Sequence, residues 1–101
     1  MILINVVLSC KPGGETRLKQ LLLDTMAASR AEDGCLHYLF SAAISEPDSY
    51  HLVELWRDEE AFRAHQQGAA FAHFLATLPS VGGLVESVAY SGDLSPYQIQ
   101  R

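Results

Sequence analysis

The chain has 101 residues, 49% apolar and 19% charged, and carries 12 acids against 7 bases for a formal charge of -5. That is the length of one domain, with the composition of a packed core and not of a disordered chain. The acidic balance, with Lys11, Arg17 and Lys19 as the nearest approach to a basic cluster, excludes a phosphate-backbone partner, whose affinity comes from clustered cations.

Ile2 to Cys10 is rich in β-branched residues and too short for a typical helix, so it is expected to be a strand. It lacks the basic flank of a signal peptide. Lys11-Pro12-Gly13-Gly14 makes a turn. From Glu15 to about Glu32 the apolar residues Leu18, Leu21, Leu22 and Met26 recur at helical spacing, and Gly34 marks the stop. Cys35 to Ile44 alternates, with Leu36, Tyr38, Phe40, Ala42 and Ile44 expected on one face of a second strand. Glu46-Pro47-Asp48-Ser49 turns the chain into a third strand, Tyr50 to Trp56, antiparallel to the second.

Asp58 has the character of a helix N-cap, followed by Glu59 and Glu60 in the first turn. A helix is expected to about Gln67, interrupted by Gly68. A second helical piece carries Phe71, Phe74, Leu75 and Leu78 and is expected to stop at Pro79. Leu84 to Tyr90 is the last strand, and residues 92–101 form a polar tail. The order β-α-β-β-α-β specifies an α+β, ferredoxin-like domain spanning residues 1–101: an antiparallel sheet with its helices on one face.

Both faces of that sheet carry large apolar groups. Ile4, Val6 and Leu8 oppose Leu3 and Val7 in the first strand; Leu52 and Trp56 oppose Val53 and Leu55 in the third. An uncovered apolar face exceeds what a soluble monomer shows, and a second copy related by a two-fold axis is the simplest cover. A homodimer is therefore expected.

Two stretches carry a family resemblance. Gly34-Cys35-Leu36-His37-Tyr38, then Val53-Glu54-Leu55-Trp56-Arg57-Asp58-Glu59-Glu60-Ala61 with His65 and Phe71, resembles the pattern of antibiotic-biosynthesis-monooxygenase domains. The resemblance extends over nearly the whole chain in element order and length. It implies a dimeric α+β barrel with a pocket between each sheet and its helices. It also implies that the reaction is a monooxygenation of a small phenolic or quinol-type aromatic by O2, without metal or flavin. Other members of the superfamily isomerise or cleave small metabolites, and others have no known activity. Haem degradation is not expected: that branch uses a strand-one Asn, which Asn5 matches, but His65 stands where its helix Trp would be, and Leu75 and Ala76 stand where its His would be.

His65 is the leading acid–base candidate, because its ring titrates near neutrality; the alternative is a packing histidine. Asn5 is a polar group in an apolar strand, placed either to steady an oxyanion or to make a structural hydrogen bond. Tyr38, Trp56, Phe62 and Phe71 are the candidate walls of an aromatic slot, with core or interface packing the alternative for Trp56. Glu54 is expected to pair with an arginine such as Arg57 or Arg63 of either subunit, in preference to a catalytic role. His37 is an alternative base; His51 and His73 are expected at the surface.

Cys10 and Cys35 make no disulfide framework, and no zinc spacing, phosphate loop or G-x-S-x-G elbow is present. No cofactor is expected beyond O2 as co-substrate. The longest apolar stretch falls short of the ~18 residues of a membrane span, so a cytoplasmic protein without a membrane partner is expected.

Overall fold

The structure is a computed structural model that describes residues 1–101. Its elements are β1 (Ile2–Cys10), α1 (Glu15–Arg30), β2 (Cys35–Ala42), β3 (Ser49–Trp56), α2 (Glu59–Gln66), α3 (Ala69–Val81) and β4 (Gly82–Ser91). The four strands form one antiparallel sheet in the order β2-β3-β1-β4. This is the expected ferredoxin-like α+β arrangement. No helix is long and apolar enough to cross a membrane.

Because cross-strand partners point to the same side, the register sorts every strand residue onto one of two faces. Ile4 lies opposite Glu54 and Ala89, Leu8 opposite Tyr50 and Leu84, and Glu54 in turn opposite Tyr38. These point at the helices. The core is built there, from Ile4, Leu8, Leu52 and Trp56 of the sheet, Leu18, Leu21 and Leu22 of α1, and Phe74, Leu78 and Val81 of α3. α1 presents its buried residues at helical spacing, and Thr25 returns a hydrogen bond to the Leu21 carbonyl at 2.7 Å.

Local chemistry explains where the elements start and stop. Asp58 caps α2 by accepting from the Ala61 amide at 2.8 Å. Gly34 takes a φ of 83°, in the left-handed region, to turn the chain from α1 into β2. A Cβ there would collide with Ala61, so this turn also sets how closely α2 approaches.

Four expectations are corrected. Leu36 is exposed and does not join Tyr38 and Phe40, because a bulge between Cys35 and His37 takes it out of the alternation. β2 ends at Ala42, and Ile44 is fully exposed in the connection to β3. α3 does not stop at Pro79 but runs to Val81. In the last turn a proline forfeits one hydrogen bond without breaking a long ladder, and the Pro79 carbonyl accepts from Lys11 Nζ at 2.6 Å. β4 then begins at Gly82 instead of Leu84, where the bare glycine lets the backbone close on the Ser9 carbonyl.

Candidate functional site

The inner face carries a buried polar cluster beneath α2. α2 supplies His65, which is 1% exposed and lies on the same side as buried Ala61. The ring is enclosed by aromatics: its centroid is 4.5 Å from that of Trp56, 5.2 Å from Phe71, 5.8 Å from Tyr38 and 6.2 Å from Phe62. His65 Nδ1 lies 2.7 Å from Glu32 Oε1, in the short segment between α1 and β2. Nε2, on the other side of the ring, is buried with no hydrogen-bond partner, 4.0 Å from Glu54 Oε1.

Glu54 is itself buried on β3. The Trp56 indole N–H donates to its Oε1 at 2.8 Å, a contact made possible because residues two apart on a strand share a face. Burial pushes the Glu54 carboxyl above its ordinary value, and Glu32 adds to the rise; the Trp56 hydrogen bond and the His65 ring pull it back. Burial, and then the neighbouring Glu54 carboxyl, push the Tyr38 hydroxyl well above the usual tyrosine value.

A cleft of about 160 Å³ opens beside this cluster, between the inner sheet face and the α2–α3 layer. Ile4, Val6 and Leu52 floor it, Phe62, Phe71 and Phe74 wall it, and Tyr38 and Glu54 face it from the sheet. Gln66 and Ser87 add polar groups to its lining. A larger groove of about 240 Å³ runs between α1 and β2, along Leu22, Met26, Phe40 and Tyr50. It contains no carboxylate or imidazole.

The residues singled out from the sequence divide accordingly. Tyr38, Phe62 and Phe71 line the cleft together. His65 stands one layer behind it, screened by Glu54 and the aromatics. Trp56 is wholly buried and does not reach the cleft wall; it packs on His65 and holds Glu54. Asn5 is exposed on the outer sheet face, opposite Val53 and Val88, because it is out of step with inward Ile4 and Val6. It does not meet His65. Within the chain Glu54 pairs with neither arginine: Arg57 binds Asp33 at 3.1 Å and Asp58 at 3.2 Å, and Arg63 binds Glu59 at 2.6 Å. His37 is exposed on the outer face and cannot stand in for His65; His51 and His73 are exposed as expected.

Two members of this cluster were not linked to His65 by the sequence. Glu54 was placed correctly on a face with Trp56, but its facing the cleft follows from the packing of α2. Glu32 lies 33 residues from His65 in the chain and carries no local signal that would have linked them.

Comparison with known proteins agrees with this architecture. The family model described as "Antibiotic biosynthesis monooxygenase" matches residues 1–77. A Bacillus subtilis (strain 168) protein named "Putative monooxygenase YcnE" is 28% identical over 76 residues, covering 75% of this chain and 80% of that protein. The crystal structure of a "putative antibiotic biosynthesis monooxygenase" from Deinococcus radiodurans superposes with a TM-score of 0.87 at 27% identity, over 99% of this chain and 100% of that one. A mutant of SnoaB, a cofactor-independent oxygenase from Streptomyces nogalater, shares the fold with a TM-score of 0.79 at 14% identity, over 93% of this chain and 94% of that one. Since the family model spans residues 1–77, well over half of the chain, this chain belongs to the antibiotic biosynthesis monooxygenase family.

Proposed function

We propose that the protein is a monooxygenase that oxidises a small phenolic or quinol-type molecule with O2 and without a bound cofactor, as a homodimer closed over the outer sheet face. The observation that carries this reading is the cleft itself: aromatic walls from Phe62, Phe71 and Phe74, with the Glu54 carboxylate beside them. Such a slot takes a flat ring and removes it from water, and a carboxylate placed there drives its ionisation. The description of SnoaB as a cofactor-independent oxygenase supports the same chemistry on the same fold.

The steps balance without an external reductant. Loss of a proton leaves an electron-rich substrate anion, which passes one electron to O2. Recombination forms a carbon–oxygen bond, and protonation gives a hydroperoxide. Loss of water from it leaves a carbonyl, so one oxygen atom enters the product and the other becomes water. All four electrons come from the substrate. The protein contributes desolvation, orientation and a place for the proton.

The dimer is supported by the outer face, where Leu39, Val53 and Tyr90 stay exposed in a single chain. Asn5, His37 and His51 lie on that face, so in this reading they meet the partner and not the substrate.

Oxygen uptake with a panel of quinols and phenols, in wild type and in His65→Ala, tests the proposal. The expected outcome is uptake matched one-to-one by substrate loss, slowed about 10²-fold in the variant. Compounds that occupy the cleft yet consume no O2 would overturn it.

A further inference from the structure

The row Glu54–His65–Glu32 is not accounted for by core packing. Glu54 is 6% exposed and faces the cleft, and within the chain it accepts one hydrogen bond, from Trp56. Behind it, His65 Nε2 has no partner at all. Leaving a buried ring nitrogen unpaired is destabilising, a cost that an apolar residue at this position would avoid. On the far side of the ring, the Glu32 side chain is 27% exposed and reaches water. Three titratable groups from β3, α2 and the segment after α1 therefore run in order from cleft to solvent.

We propose that Glu54 is the group that accepts the ligand's proton in the cleft, and that His65 passes this proton on to Glu32 and so to water. This rests on the reading above, that the cleft holds an ionisable phenolic ligand. His65 is not the first acceptor, because the cleft is lined by Glu54 and not by the imidazole.

Each transfer conserves protons and charge. The ligand O–H breaks, its electron pair stays on the oxygen, and the proton moves to the Glu54 carboxylate. The 4.0 Å between Glu54 Oε1 and His65 Nε2 is longer than a hydrogen bond, so the newly formed carboxylic acid must swing about 1 Å toward the ring. Nε2 then takes this proton while Nδ1 releases its own to Glu32 across the 2.7 Å contact. Glu32 gives the proton up to water, and the imidazole is left as the other neutral tautomer. Once product leaves, Nε2 returns its proton through Glu54 to water entering the cleft while Nδ1 takes one back from water through Glu32, so the row is reset and one proton in all has passed from ligand to water. Glu54 is thus the catalytic residue, and His65 and Glu32 are positioning residues that act through it.

The test uses 4-nitrophenol, whose absorbance reports its ionisation, together with nuclear magnetic resonance of the Glu54 carboxyl carbon and the His65 ring nitrogens. At a pH just below the probe's own pKa, wild type is expected to ionise the bound phenol while the Glu54 carboxyl shifts to its protonated position. Glu54→Gln keeps an oxygen for the Trp56 indole and so tests the proton alone; it is expected to lower the bound phenolate-to-phenol ratio about tenfold, one pKa unit. Glu32→Gln is expected to leave probe binding intact while moving the His65 ring proton from Nδ1 to Nε2, a change that loss of packing would not produce. If the probe perturbs Phe62 and Phe71 but protonates His65 with Glu54 unmoved, the proposed order is wrong while the cleft reading stands. If the probe leaves Phe62 and Phe71 unperturbed, the cleft reading falls and takes this proposal with it.

Discussion

The two faces of the sheet are built from the same strands, yet they treat polar residues in opposite ways. On the inner face Glu54 is buried, held by Trp56 and backed by His65. On the outer face Asn5, His37 and His51 are exposed among Leu39 and Val53. A strand places successive side chains on alternate sides, so Asn5 faces outward one step along β1 from Ile4, the inward partner of Glu54. A polar residue in an apolar strand is informative once its parity is known. Glu54 is in phase with Leu52 and Trp56, whereas Asn5 is out of phase with Ile4 and Val6.

If the faces differ as described, substitutions on them should fail differently. The largest effect is expected inside. Trp56→Ala removes a fully buried ring and the only hydrogen-bond donor to Glu54, and should cost about 3–5 kcal/mol in denaturant unfolding. A cost no greater than that of Val53→Ala would erase the distinction between the faces.

Outside, Leu39→Asp combined with Val53→Asp should leave the subunit folded but separate the copies. In the proposed homodimer each charge is buried twice across the two-fold interface, so its dissociation constant should rise by about 10²-fold or more. Sedimentation at subunit mass with an unchanged circular dichroism spectrum is the expected result; unfolding would mean that these residues support the core.

A smaller effect concerns pH. Glu54 has its folded pKa raised by burial above the ordinary 4.5, so the folded state holds a proton that the unfolded state has released. The stabilisation tied to that proton is complete below 4.5 and is lost as pH rises through the raised value. Stability measured from pH 4.5 upward should therefore fall more steeply in wild type than in Glu54→Gln. Equal slopes would mean that Glu54 is not desolvated. The smallest effect is expected at the edge of the site, where Asp58→Ala removes the α2 cap. It should lower Tm slightly, and Asp58→Ser should restore it; a fall as large as that of Trp56→Ala would contradict the ranking.

Much of the fold was legible before any coordinates. Leu18, Leu21 and Leu22 announced the buried stripe of α1, Asp58 announced the start of α2, and Gly68 separated α2 from α3. The expected breaks at Pro79 and Leu84 were wrong by a few residues, because a proline is tolerated in a final turn and Gly82 can pair closely with β1. The site was less legible. Tyr38, Phe62 and Phe71 line the cleft because apolar periodicity points them inward. Trp56 could be read either as a cleft wall or as core, since a pattern that marks a residue as inward does not say whether it meets a cavity or a neighbouring ring; it is core.

What the amino-acid order determined by itself was local: which segments become strands or helices, and which side of each is apolar. Those follow from dihedral preference and from the periods of two and 3.6 that govern side-chain direction. What the tertiary structure decided was the meeting of groups distant in the chain. Glu32 reaches His65 across 33 positions, the bulge at Leu36 resets the face of β2, and α2 settles so that Glu54, not His65, faces the cleft. Such contacts are fixed by how whole elements pack, and that packing is a property of the assembled core which no local stretch encodes.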